Sequence, residues 1–415
     1  MTLSATNFAF LAQSGKRQGV ECDFQRAASA HDPSMTAEIL GAAPLAIWCY
    51  LLLGRGRFWL ARQPETIAFS ELKPKRVAAI VPARNEAPVV GKALRSLIAQ
   101  DYPLQAFLVD DESSDRTTAV AQEVAESLGE AKRLTIVEAG PRPPGWTGKL
   151  WAVSQGVRQA GTWNPDYYLL TDADVVHDTS AVAQLVARAE GGCYDLVSLM
   201  VELRCETFAE RALVPAFVFF FFMLYPPEWV KKPERRTAAA AGGCILVRSQ
   251  ALKEIGGIEA IRGELIDDCA LARAVKQRGG RLWLGSTRKS RSIREYRSWR
   301  DIGAMISRSA FTQLRHSVLL LGLTFVAMFV TLLLPIVLLF RGGAASILGL
   351  SAWVLMSLAF VPSLRLYGRS LCFAPCLPFI AIFYLGATVH SAIQYWRGKG
   401  GMWKGRVQDA TQRRT

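Results

Sequence analysis

The sequence predicts an α/β domain built on a mostly parallel, Rossmann-like sheet, framed by apolar helical segments at both ends. Three observations predict it. Between residues 77 and 205, five short apolar runs alternate with amphipathic stretches. Uncharged runs long enough to cross a bilayer close the chain, one of them covering 318–340. Hydrophobic residues make up 51% of the 415 positions, high for an enzyme with no membrane segment. Alternating strand and helix patterns place helices on both faces of a parallel sheet, and such sheets bind ligands at the carboxyl ends of their strands.

In chain order, residues 1–35 are polar and aperiodic and read as a disordered or non-native extension. Met35, directly before the first apolar run, reads as the natural start. Residues 39–54 carry no charge and define a transmembrane helix within 36–60. Arg55, Arg57, Arg62, Lys73, Lys75 and Arg76 follow, and the positive-inside rule then puts the next domain in the cytosol. That domain covers 76–300. Its strands are expected at 77–83, 106–111, 134–139, 166–172 and 195–203, and its helices near 87–99, 115–128, 149–160 and 178–190. Residues 212–227 are uncharged but short and bounded by prolines, and read as a helix lying in the membrane interface, with a buried core helix as the alternative. Residues 301–317 read as an amphipathic juxtamembrane helix. Runs at 318–340, 342–364 and 370–396 give two or three closing spans, and 397–415 is a basic tail.

The net charge of +14 allows nucleic acid, anionic headgroups or a phosphorylated substrate as partner. The apolar runs favour the last two, and no nucleic-acid recognition motif is present. The eight cysteines form no CxxC pair, so free thiols are expected rather than a zinc site or a disulfide framework.

Six motifs carry the candidate chemistry. VPARNE (81–86) ends the first strand and offers Pro82, Arg84 and Glu86. DDESSDRT (110–117) ends the second; Ser114 or Asp115 suits a helix N-cap, which leaves Asp110 and Asp111 as adjacent carboxylates at a strand tip, costly unless paired or used. GWTGK (145–149) precedes a helix, where an amino end and Lys149 suit a phosphate. DAD (172–174) ends an apolar strand, and Asp172 with Asp174 can hold a hard divalent cation, Mg2+ or Mn2+. His177 reads as a surface histidine, with metal ligation as the alternative. In LIDDCALA (265–272), Asp267 and Asp268 open a helix. Two acids there suit the helix dipole; the functional reading makes Asp268 a general base beside Asp267, and like charge raises one pKa of the pair, which suits a base. Finally, Arg288, Arg291, Arg294, Arg297 and Arg300 recur every three residues and, on a helix, would wind around it to meet headgroups and substrate phosphate.

Taken in order, VPARNE, DDESSDRT, GWTGK, DAD, GGCILVR (242–248) and LIDDCALA resemble family 2 glycosyltransferases with a GT-A fold. The phenylalanine-rich patch ending in YPPEW, SRSAFTQLRHS (307–317) and WKGR (403–406) resemble the hopene-associated, hopanoid-linked members. The resemblance implies inverting transfer from a nucleotide diphosphate sugar, expected to be a UDP-sugar, to a lipid acceptor at the inner membrane. On this chain it implies nucleotide-sugar binding by Pro82, Arg84, Glu86, Asp110, Asp111, Lys149 and Asp172, metal ligation by Asp172 and Asp174, and Asp268 as base with Asp267 beside it. A QxxRW motif is absent, and Arg308 or RSWR (297–300) is expected in its place. A polyprenyl-phosphate glycosyltransferase and a catalytically silent membrane scaffold are the alternatives.

Overall fold

A computed structural model describes residues 33–61, 67, 73–403 and 406–407. The expected disorder or extension at 1–32, the middle of WKGR and the end of the basic tail lie outside the described residues. The central strand, β1 (Val77–Ala83), is buried along its whole length. It pairs in parallel with β2 (Leu104–Asp110) on one side and β4 (Tyr167–Thr171) on the other, and β2 pairs in parallel with β3 (Leu134–Glu138). The five strands expected from sequence are present, the last as β6 (Leu196–Glu202).

Three further strands complete the sheet. β5 (Val175–His177), β7 (Cys244–Arg248) and β8 (Leu282–Ser292) give the order β3-β2-β1-β4-β7-β6-β8-β5. β7 runs antiparallel between β4 and β6, and β5 runs antiparallel on β8, while β6 and β8 are parallel. The arginine-rich stretch is therefore not one helix. Arg288 and Arg291 lie on β8, Arg294 and Arg297 follow it without regular structure, and Arg300 lies in a later helix. The recurrence every three residues has no common structural meaning.

Side chains of β1 alternate between two cores, as a strand requires. Val77, Ala79 and Val81 face helices α2 (Ala87–Ile98), α3 (Thr117–Ser127) and α5 (Ala181–Gly191) through Val90, Leu94, Val124, Val182 and Leu185. Ala78 and Ile80 face α4 (Gly148–Gly161), in a core that continues into α6 (Phe208–Leu224) and the apolar helices beyond. α4 sits close on the sheet because of Gly156: a Cβ there would lie 2.6 Å from Ile80 Cγ2 and 2.7 Å from Val109 Cγ2. This close approach brings the amino end of α4 to the strand tips. α7 (Ser249–Glu254) follows β7, and α8 (Asp267–Gln277) leads into β8.

α6 begins with a capping box at Thr207 and Glu210. Most of its length is buried; the Tyr384 hydroxyl donates to the Leu213 carbonyl at 2.9 Å, and Phe219 packs on Phe360. Among the described residues four helical segments are long and apolar enough to cross a membrane: Phe208–Val230, Val318–Leu338, Gly343–Leu366 and Leu371–Trp396. The amino-terminal helix α1 (Pro33–Leu53) packs beside Gly343–Leu366, and its apolar part, Gly41–Leu53, is shorter than those four. The stretch expected as one juxtamembrane helix is instead α9 (Trp299–Ser307) and a separate turn, Ala310–Gln313. Arg288, reaching from β8, donates to the carbonyls of Leu366 (2.8 Å) and Arg365 (2.9 Å), clamping the sheet to the end of one apolar helix.

Candidate active site

Because β2, β1 and β4 are parallel neighbours, the ends of all three open on one edge, with Ala83 opposite Asp110. The loops leaving β1 and β2 are sewn together. Asn85 N–H donates to Ser113 Oγ (3.0 Å), Ser114 N–H to Asn85 Oδ1 (2.8 Å), and Glu86 N–H to Thr117 Oγ1 (2.9 Å). Asp115 accepts from Ala87 N–H (3.1 Å) and Thr117 N–H (3.0 Å). The N-cap position of α3 is Arg116; of the residues expected to cap that helix, Ser114 binds the neighbouring loop and Asp115 bridges that loop to the first N–H of the helix. Asn85 and Glu112 hold positive φ, 51° and 53°, to make these turns.

Three clusters of charge line this edge. In the first, Lys149 in the opening turn of α4 places its ammonium 3.0 Å from Asp172 Oδ1 and 3.1 Å from Asp267 Oδ2. It is a bridging group rather than a solvated lysine. Burial depresses the Lys149 pKa, but the Asp172, Asp267 and Asp268 charges outweigh it and leave it raised. Asp268 is half-buried; burial and the Asp267 charge raise its carboxyl to about 6 against the pull of Lys149. These residues, with Pro82, Gly242 and the aliphatic Leu150, Ile245 and Leu271, line a cleft. Gly242 opens the GGCILVR motif, to which no site role was assigned from sequence. A Cβ there would stand 3.2 Å from Asp268 Oδ2 and 3.5 Å from Lys149 Nζ, so glycine leaves the acid and the cation room to approach.

In the second, Arg294 donates from Nε to Asp174 Oδ2 (3.1 Å) and from Nη2 to Glu86 Oε1 (2.6 Å). Ser292 Oγ donates to the same Asp174 oxygen at 2.7 Å. Asp174 and Glu86 are each 6% exposed. Arg294 belongs to the arginine repeat, but only the end of β8 singles it out. In the third, Arg84 Nη1 lies 3.6 Å from Asp111 Oδ2 and 3.9 Å from Glu112 Oε2. Asp110 Oδ2 accepts from Ser113 N–H at 3.2 Å, while its Oδ1 is buried with no hydrogen bond among the described residues.

The sequence-derived site residues thus separate. Pro82, Lys149, Asp172, Asp267 and Asp268 share the cleft; Glu86 and Asp174 meet on Arg294; Arg84 and Asp111 meet beside them. Arg308 is exposed at the end of α9, where its charge reaches the Tyr296 hydroxyl together with those of Arg294, Asp174 and Asp172. Tyr225, at the end of α6, reaches the Cys269 thiol and the Asp268 charge. His177 is neither a surface residue nor a ligand in this arrangement. It is buried, its ring nitrogens lie 2.9 Å from Thr171 Oγ1 and 2.8 Å from Ser290 Oγ, and burial lowers its pKa to about 4. No group of three or more His, Cys, Asp or Glu side chains forms a ready metal cage among the described residues.

A family model described as "Glycosyltransferase like family 2" matches residues 74–306, more than half of the chain and the whole of the sheet. A 4,4'-diaponeurosporenoate glycosyltransferase of Staphylococcus aureus (strain MRSA252) is 36% identical over 102 residues, 24% of each chain. That of Staphylococcus haemolyticus (strain JCSC1435) is 30% identical over 118 residues, 28% of this chain and 29% of the relative. The chain thus matches about a quarter of the length of these curated relatives. Among solved structures, the mannosyltransferase PcManGT from Pyrobaculum calidifontis, in complex with GDP-Man and Mn2+, is similar with a TM-score of 0.52. Its identity is 21%, over 86% of this chain and 99% of that one. That likeness shows a GT-A fold.

Proposed function

The chain belongs to the glycosyltransferase-like family 2 and is a glycosyltransferase, and from that premise we propose that it moves a sugar, with inversion, from a nucleotide diphosphate sugar to a hydroxyl of a membrane lipid. The observation that carries the reading is the cleft in which Lys149, Asp172, Asp267 and Asp268 converge at the strand ends. The GDP-Man complex of the structural relative supports a nucleotide-sugar donor, with a UDP-sugar as our choice. The relatives named for diaponeurosporenoate, and the apolar helices against the site-bearing sheet, support a lipid-like acceptor. Its hopanoid nature rests on the likeness of YPPEW and SRSAFTQLRHS. We place the protein in the cytoplasmic membrane, with the sheet domain cytosolic.

In this mechanism Asp268 takes the proton of the acceptor hydroxyl. The acceptor oxygen bonds to the anomeric carbon as the bond from that carbon to the diphosphate oxygen breaks. A carboxyl near pKa 6 is ionised at neutral pH and still basic enough to share a proton in the transition state. Lys149, held at the cleft wall, meets the negative charge that develops on the leaving diphosphate. Asp110 and Asp111 bind the nucleotide, with Arg84 fixing Asp111.

The donor set fits a hard cation. Asp172 and Asp174 offer carboxylate oxygens at one strand tip, and cationic side chains already bridge both acids, Asp172 to Asp267 and Asp174 to Glu86. Asp172 and Asp174 would hold Mg2+ or Mn2+, and the cation would supply positive charge to offset that of the departing diphosphate.

The test is incubation of the purified protein in lipid with a panel of nucleotide sugars and Mg2+ or Mn2+, reading nucleoside diphosphate release. Release from none of them would sink the proposal. Asp268→Asn should cut transfer by roughly 10²- to 10⁴-fold while donor binding survives. Full activity of that variant on a polyprenyl phosphate, which needs no base, would favour the alternative acceptor. Asp174→Ala should abolish metal-dependent donor binding, measured by calorimetry.

A further inference from the structure

Arg294 stands where a metal ion would have to compete. Its guanidinium joins Asp174 (3.1 Å) and Glu86 (2.6 Å), carboxylates from two different strand ends, each 6% exposed. A carboxylate buried to that extent is costly unless a cation or hydrogen-bond donors face it, and the guanidinium faces both. The arginine is also presented rather than loose. It follows the end of β8 by two residues, Ile293 N–H donates to the Asp174 carbonyl at 2.9 Å, and Tyr296 N–H donates to Glu210 Oε1 at 2.8 Å. The segment carrying Arg294 is therefore pinned on both sides of it, while the side chain remains about a third exposed.

We propose that Arg294 is an internal counter-cation, which holds the Asp174 carboxylate against free divalent metal and yields it only when metal arrives with a nucleotide diphosphate. The reason is charge balance. Free metal must take Asp174 from a guanidinium that is left with Glu86 alone and gains no new anion. A metal–diphosphate pair brings phosphate oxygens, which accept a guanidinium by strong, often bidentate hydrogen bonds. Metal and nucleotide then bind with positive coupling, each raising the affinity for the other by one factor. Lys149 on Asp172 repeats the arrangement at the other end of the same tripeptide.

The inference rests on assigning the metal to Asp172 and Asp174, and the experiment separates the two. Mn2+ binding to the full-length protein in detergent is followed by electron paramagnetic resonance, alone and with saturating UDP or GDP. In the unsubstituted protein the nucleoside diphosphate should tighten Mn2+ at least about tenfold, a coupling of ordinary size. Arg294→Gln should bind Mn2+ without nucleotide at least about tenfold more tightly than the unsubstituted protein, and lose most of that coupling. Should Arg294→Gln fold poorly, Glu86→Gln/Arg294→Gln removes one buried acid with the arginine and should show the same tightening. Nucleotide-free affinity that is unchanged or weaker in these variants overturns the proposal, as does an absence of coupling in the unsubstituted protein. If Asp174→Asn leaves Mn2+ binding untouched throughout, the metal assignment itself fails.

Discussion

At Asp268, burial and the Asp267 charge set a pKa of about 6, with Lys149 opposing them. With Asp268 as the proposed base, the rate should follow its ionised form. kcat/KM should climb about tenfold per pH unit below pH 6 and level off above it, as a pH–rate profile would show. Stability should run the other way. A carboxyl that keeps its proton to higher pH in the fold than in the open chain contributes most below its ordinary value of 3.8, and loses that contribution as pH rises through about 6. Asp268→Asn should therefore melt higher than the unsubstituted protein at pH 8, with the gain shrinking toward pH 5, by scanning fluorimetry. The acids themselves were legible in the sequence because carboxylates at strand tips have few structural uses. Their partners were not. Nothing local to Lys149 says that it will bridge residues 172 and 267, and Gly242 acts only by what it lacks. The placement of Arg294 depends on where β8 ends.

Among the elements, the strands that were plain from sequence carry short apolar-rich runs, and all but the edge strand β3 are largely buried. β8 was missed because its outer half, STRKSRS, is polar. It pairs with the three-residue β5 at the sheet edge and only irregularly with the end of β6, and there strand residues need not be apolar. β7 was present as a motif, GGCILVR, but its antiparallel insertion between β4 and β6 is set by long-range pairing that no local pattern encodes. α4 was expected near its observed place, yet its fit on the sheet turns on one position. Gly156→Val would drive methyl groups into Ile80 and Val109. It should destabilise the fold by about 1–3 kcal/mol, and because α4 carries Lys149 it should also weaken donor binding. A denaturant melt and a donor titration check the two effects together.

For the molecule as a whole, the apolar helices are not an appendage. The core beneath Ala78 and Ile80 runs without a break into Phe219, Phe222 and Phe360, and further ties cross it, from Arg55 to the Met223 carbonyl (2.7 Å) and from Trp48 to the Thr331 carbonyl (2.8 Å). A chain cut after residue 306 would keep the family-matched region and expose the buried side of Phe208–Leu224. It should aggregate on expression, whereas the full chain should stay with membranes through carbonate extraction; a monodisperse truncated protein on size exclusion would contradict this.

That unbroken packing has a consequence for the acceptor. In the membrane setting proposed above, a sheet packed directly on its apolar helices would hold Asp268 at a set height over the lipid surface. On the proposed lipid acceptor, a hydroxyl riding at that height should be glycosylated, and chemically identical hydroxyls on a longer or shorter stem should be passed over. Selectivity would then be a matter of elevation as much as of recognition.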